Sequence, residues 1–231
     1  MISSIILQIQ VADSVGHVQQ AVVAKQASLS LLDLLIKGGV IMIPIGIVSL
    51  LAVYIFLERY FAIRKASKED NSFMNKIREY IINLKIDQAK ALCESANTPE
   101  SRMIERGIGR IGKSIGEVER TLESSGKFEI TKLEKNLRIL GIVAGIAPML
   151  GFIGTIMGVI KIFYNISLAD NISIGLIAGG LYEKMITSAS GLIIGILAYS
   201  GYHYLNILLD KVIFKMENIG LEFVDLLQKE A

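Results

Sequence analysis

Tryptophan is absent from this sequence, and cysteine occurs once, as Cys93. A lone thiol excludes an internal disulfide, and with two histidines no all-His/Cys set remains for a metal ion. Cys93 itself reads as a small, semi-buried helix residue. Charge of one sign is scarce as well: 24 Lys and Arg stand against 22 Asp and Glu, a net +2, which gives no electrostatic footprint for nucleic acid. There is no Gly-rich phosphate loop, no nucleophile elbow and no HExxH motif. Gly107-x-Gly109-x-x-Gly112 matches GxGxxG in spelling only, since it follows no strand pattern. These absences argue against an enzyme, and nothing in the sequence asks for a cofactor.

What is present is apolar. Hydrophobic residues make up 52% of the 231 positions and mean hydropathy is +0.52, yet 20% of residues are charged. That mixture describes membrane spans joined to a sizeable charged part. A membrane helix needs about 20 apolar residues to cross roughly 30 Å of hydrocarbon. Three segments qualify. The first, 31–57, has its uncharged core at Gly38–Leu57 and stops at Glu58-Arg59; Pro44 inside it is tolerable if neighbouring groups satisfy the freed carbonyl. The second, 139–163, is bounded by Arg138 and carries Lys161 near its end. The third, 180–209, is unbroken from Met185 to Leu209, with Glu183 and Lys184 at its start.

Lys and Arg near the span ends set the orientation. Arg59, Arg64, Lys65 and Lys68 follow the first span, Lys127, Lys132, Lys135 and Arg138 precede the second, and Lys211 and Lys215 follow the third. The loop 164–179 holds only Asp170. The part 58–138 and the tail 210–231 are therefore expected to be cytoplasmic, with the N-terminus and the short loop on the other side. Without tryptophan, Tyr54, Tyr60, Phe61, Phe163, Tyr164 and Tyr204 are left to anchor the interfaces. The segment 1–30 is expected to be extracytoplasmic: its apolar run Ile5-Ile6-Leu7 lacks a preceding positive charge, which favours a retained surface segment over a cleaved signal peptide.

The charged part is expected to be helical. Ile104, Ile108, Ile111, Ile115, Val118 and Leu122 alternate by four and three, as do Val212, Met216, Ile219, Phe223 and Leu226. Both series predict heptad-like seams. Leu209 joins the tail series to the third span, and Leu133 with Leu137 carries a pattern into the second. Asn97-Thr98-Pro99-Glu100 is the clearest break, with Thr98 as cap and Pro99 in a first turn.

Polar and small residues inside the spans carry the functional signal. Ala144, Pro148, Gly151, Thr155 and Gly158 share one face of the second span. Such a stripe fits either a tight helix–helix contact or a surface turned to a pore or an inserted partner helix, with Thr155 as a hydrogen-bonding station. In the third span Glu183, Thr187 and Ser190 share one face, while Lys184, Ser188, Gly191 and Gly195 share another, roughly 100° round. An ionisable residue in a span is expensive and marks function by default. Adjacent side chains do not face each other on a helix, so Glu183 and Lys184 are not expected to pair within one chain; snorkelling to the interface is the ordinary fate of such a lysine.

The segment 147–158 resembles the A-P-x-L-G-x-x-G-T-x-x-G signature of the MotA/TolQ/ExbB proton-channel family, and 180–192 resembles its G-I-x-E-A-L-x-x-T-A-x-G-L pattern. Lys37-Gly38-Gly39, Met42-x-Pro44-Ile45, Ser49 and Glu58-Arg59 are similar to its first span, Ala91-Leu92-Cys93 and Leu133-Glu134-Lys135 also fit, and the likeness extends over nearly all the chain after Leu31. The resemblance, strongest to the three-span ExbB/TolQ branch, implies an all-α membrane protein that forms a ring, a pentamer, in a bacterial inner membrane. Its second and third spans would line a pore holding helices of a single-span ExbD/TolR-like partner, whose aspartate takes and releases the proton; a TonB-like energy transducer is a further implied partner. Thr155 matches the family's pore threonine and Glu183 its glutamate, with Thr187 and Ser188 beside the path and Pro148, Gly151, Gly158, Gly191 and Gly195 packing it. Two positions depart from the pattern: Ser188 stands for a threonine, and Lys184 for a small residue. The implied function is a proton-channel subunit energising outer-membrane transport; a TolQ-like envelope role and a non-conducting helical scaffold are the alternatives.

Overall fold

A computed structural model describes residues 38–67, 72–168 and 174–230; the expectation for 1–30 lies outside them. All regular structure among the described residues is helical: α1 Met42–Ala66, α2 Phe73–Ile82, α3 Ile86–Ala96, α4 Pro99–Ile108, α5 Ile115–Glu134, α6 Leu137–Leu168 and α7 Ile174–Glu230. Three helical stretches, within α1, α6 and α7, are long and apolar enough to cross a membrane. The described residues divide into two compact units, one within Met1–Met42 and Gly154–Thr187 and the other within Ile43–Ile153 and Ser188–Ala231.

The larger unit holds one apolar core. Ile63, Phe73, Ile77, Cys93, Ile104, Val118, Leu140, Leu205, Met216 and Phe223 are all buried in it. The tail series expected from the sequence is part of this core: Val212, Met216, Phe223 and Leu226 are buried, and α7 runs without interruption from its apolar stretch to Glu230. Local chemistry sets the boundaries of α4. Ser101 N–H donates to Thr98 Oγ1 at 3.2 Å, Thr98 N–H donates to Ser101 Oγ at 3.0 Å, and Pro99 fills the first position, where a missing N–H costs nothing.

The other seam is not one helix. Ile104 and Ile108 belong to α4 and Val118 and Leu122 to α5; the intervening Gly109–Ser114 is a turn in which Gly112 takes φ +90. Only glycine adopts that conformation without strain, so the heptad spacing continues across a reversal of structure. Gly107, in the nucleotide-motif spelling, packs instead: a Cβ there would lie 2.7 Å from Leu122 Cδ2 and 3.1 Å from Phe223 Cε1.

A second break separates α5 from α6, where the sequence pattern runs on. Asn136 takes φ +65, a region that asparagine tolerates better than most residues. The carbonyls that this break leaves without helical partners are met from α1: Arg59 Nη1 donates to Lys132 O at 3.3 Å and to Leu133 O at 3.4 Å. Glu58 pairs with Arg59 and accepts from Asn136 Nδ2 at 3.2 Å. Elsewhere, Glu129 is buried between Arg102 at 2.6 Å and Lys132 at 2.8 Å, and Glu100 is met by Lys215 at 2.9 Å.

Candidate polar site in the spans

The polar residues singled out in the third span sit on the early part of α7, beside a glycine turn. Gly38 and Gly39 precede α1, and Gly39 takes φ +75, so a side chain there would be strained. Thr187 is fully buried, and its hydroxyl donates to Gly38 O at 2.9 Å; Glu183 O, one turn back, lies 3.4 Å from the same oxygen. A Cβ on Gly39 would stand 3.1 Å from Glu183 Oε1 and 3.5 Å from Lys184 Nζ. The turn and the carboxylate–ammonium pair are therefore in van der Waals reach of each other.

Glycines on α6 make the room. A Cβ at Gly154 would come within 2.6 Å of Thr187 Cγ2, and one at Gly158 would overlap the Lys184 stem from Cγ to Cε. The vacancy at Gly158 is thus filled by lysine methylenes. This placement corrects the expectation that Glu183 and Lys184 stay apart: Lys184 Nζ donates to Glu183 Oε1 at 2.7 Å. Neighbouring residues on a helix do point in different directions, but a four-carbon stem laid in the Gly158 notch has the reach to return its ammonium to the carboxylate. Side-chain exposure is 20% for Lys184 and 40% for Glu183, so the pair is open on one side and closed by protein on the other.

In the other unit, Gly191 and Gly195 bring α7 against α6 at main-chain distance. A Cβ on Gly191 would lie 2.6 Å from Ala147 O, 2.9 Å from Gly151 Cα and 3.0 Å from Gly151 N. One on Gly195 would meet Pro148 Cδ at 2.7 Å and Ala144 O at 3.2 Å. Ala144 O is the carbonyl whose helical hydrogen bond Pro148 cannot supply, and Gly195 lets a neighbouring helix cover it closely. Four residues of the predicted packing set, Pro148, Gly151, Gly191 and Gly195, thus make a close helix contact within one chain.

Of the predicted pathway residues, Glu183, Lys184 and Thr187 come together around Gly38, Gly39, Gly154 and Gly158. Thr155 and Ser188 are each half-buried on their helices. From Ala147 onward the buried positions along α6 run Ala147, Gly151, Gly154, Gly158 and Ile162, next to the stripe through Pro148 and Thr155 and sharing Gly151 and Gly158 with it. Gly154 was not singled out, because a glycine leaves no hydropathy signal to say which of two adjacent stripes faces a neighbour. Its signal is the spacing Gly151-x-x-Gly154-x-x-x-Gly158.

A profile of the MotA/TolQ/ExbB proton channel family matches residues 95–218, more than half of the chain. The chain belongs to that family. The matched stretch contains both α6 and the Glu183–Thr187 turn of α7. Its relatives include an ExbB-like biopolymer transport protein of Synechocystis, 24% identical over 161 residues that cover 69% of this chain and 77% of that protein. The Tol-Pal system protein TolQ of Haemophilus influenzae is 24% identical over 220 residues, covering 89% of this chain and 96% of TolQ. The biopolymer transport protein ExbB of Xanthomonas campestris is 28% identical over 124 residues, 52% and 49% of the two chains. Membership of this family makes the chain a membrane proton-channel subunit.

Proposed function

We propose that this chain is the ExbB-like subunit of an inner-membrane motor, coupling the proton motive force to energised outer-membrane transport. The observation that carries the proposal is the polar cluster in otherwise apolar helices: buried Thr187 on Gly38 O, and the half-exposed Glu183–Lys184 pair beside the Gly38-Gly39 turn. Groups so costly in a membrane are kept where ions move. In this assignment the chain forms a pentameric ring with its N-terminus outside and its charged helices and C-terminus in the cytoplasm. Thr155, Glu183, Thr187 and Ser188 border the proton path, while Pro148, Gly151, Gly158, Gly191 and Gly195 hold the spans at the distance the path needs. A single-span ExbD/TolR-like subunit occupies the ring and carries the titrating carboxylate, and a TonB-like transducer passes the motion on. Each proton gains roughly 2.3 kcal/mol per 100 mV, which is the work available to turn one component against the other.

A TolQ-like envelope role is the second assignment, favoured by the match to nearly the whole length of Haemophilus TolQ. The experiment that tests the channel is the pair Thr155→Val and Glu183→Ala. Both variants are expected to insert and assemble normally while abolishing energised uptake, read by transport assays beside native gels of the extracted complex. Normal uptake by both would remove these residues from the mechanism. Uptake mutants and envelope-integrity mutants separate the ExbB-like from the TolQ-like role.

A further inference from the structure

We propose that Lys184 is a built-in counter-cation of Glu183, seated by the Gly158 notch, and that it makes this site admit protons while refusing alkali cations. The proposal rests on the channel function proposed above and names the residue that sets its ion preference.

Three oxygens near the Gly38-Gly39 turn are of the kind a sodium ion seeks: the Glu183 carboxylate, Thr187 Oγ1 and Gly38 O. Hard cations are held by several oxygens at once, carboxylate and main-chain carbonyl foremost. Two of these interactions are already committed. Lys184 Nζ lies 2.7 Å from Glu183 Oε1, and the Thr187 hydroxyl spends its proton on Gly38 O at 2.9 Å. A sodium ion entering beside Glu183 would have to displace an ammonium that cannot diffuse away, and would then face a like charge a few ångströms off in a poorly screened setting. A proton needs no such shell; one lone pair on a neighbouring hydroxyl, water or partner carboxylate is enough.

The lysine is held in place by shape as well as charge. Any side chain at position 158 would overlap its stem, so the notch and the cation form one device contributed by two helices. This separates charge from placement experimentally: Lys184→Met removes the cation and keeps the bulk, whereas Gly158→Ala keeps the cation and unseats it.

The test uses the full-length chain in the complex extracted from its own membranes, reconstituted into liposomes, with proton flux read by an internal pH dye and sodium entry by radiolabelled sodium. The wild-type complex is expected to pass protons with sodium entry at background. Lys184→Met and Gly158→Ala are each expected to raise the sodium-to-proton ratio at least about tenfold, since both free the carboxylate from its tethered cation. Glu183→Gln combined with Lys184→Met removes the carboxylate too and should return sodium entry to background. A merely structural lysine would lower both fluxes together and leave their ratio alone. Proton flux in the wild type with an unchanged ratio in Lys184→Met overturns the proposal and leaves the channel function standing. No proton flux in the wild-type complex with its partner subunit overturns both. If Gly158→Ala does not assemble, Lys184→Met and the double variant decide alone.

Discussion

In the charged helices α2–α5, a buried carboxylate is met by long basic side chains: Glu129 by Arg102 and Lys132, Glu100 by Lys215. The surrounding core is built of bulky residues such as Ile77, Ile104, Met216 and Phe223. Between α6 and the apolar part of α7 the means are different. There the helices meet through Gly191 and Gly195: the atoms nearest a Cβ on Gly191 are main-chain atoms of Ala147 and Gly151, and those nearest one on Gly195 are the Pro148 ring and then Ala144 O. Water-facing helices can hide a charge by bringing an opposite one from a flexible arm. In a span, where hydrocarbon gives no drive toward association, close backbone approach supplies the attraction. One region should therefore be sensitive to a lost charge, and the other, at the glycines of its close contact, to an added side chain.

The sharpest break of this comparison is Gly191→Val. Its Cβ meets main-chain atoms of Ala147 and Gly151 on α6, which cannot rotate away as a side chain could, so the helices must part. Overpacking of this kind costs on the order of 3 kcal/mol, and the variant should lose most of its folded complex in thermal aggregation assays after extraction. Gly145→Ala is the matched control. Nothing lies within 4 Å of a Cβ there, so stability should hold or rise by up to about 1 kcal/mol from helix propensity.

Arg102→Ala comes next. It leaves Glu129, only 2% exposed, with Lys132 alone. Breaking a fully buried pair costs about 3–5 kcal/mol, and the partial exposure of Arg102 reduces the expectation to about 2 kcal/mol. Burial pushes the Glu129 carboxyl up, but hydrogen bonds from Arg102 and Lys132 and their charges outweigh it, and the net displacement is below the ordinary carboxylate value. A depressed folded value means stability that is present above the unfolded pKa and lost as pH falls through the folded one. The wild type should lose melting temperature as pH falls below about 4, and Glu129→Gln should flatten that loss.

The smallest expected effect concerns Cys93. Burial, and then the charges of Glu105 and Glu94, push its thiol up to about 12. At pH 8 roughly one thiol in ten thousand is then ionised. Thiol reagents should label the native protein very slowly and react at the normal rate once it is unfolded. Fast labelling of the native state would show that α3 opens on its own.

The three spans, the long α7 and the Thr98-Pro99 cap are legible in the sequence because each is written in local pattern: hydropathy over about 20 residues, a steady alternation, a cap beside a proline. The turn at Gly109–Ser114 and the break at Asn136 are not, because apolar spacing continues through both and only backbone φ reveals them. In the site, Glu183 and Thr187 stand out by polarity. Gly38 as acceptor and Gly158 as the lysine's seat do not, since a carbonyl or an absent side chain acquires meaning only from what arrives beside it. The Glu183–Lys184 pair was hidden for a related reason: helix geometry gives the direction of Cβ, while the path of a long flexible stem depends on a hole in another helix.

The clasp at the start of α6 also bears on how the chain is made. Arg59 and Glu58 emerge from the ribosome some seventy residues before Lys132, Leu133 and Asn136, which they will hold. At a synthesis rate of about 5–20 residues per second, that is a wait of roughly 4–15 s. The two are adjacent in the chain and opposite in charge, and in the folded protein they pair with each other. The end of the first helix can thus rest at the membrane surface with its charges neutralised, and then serve as the fixed post to which the later half of the chain is moored.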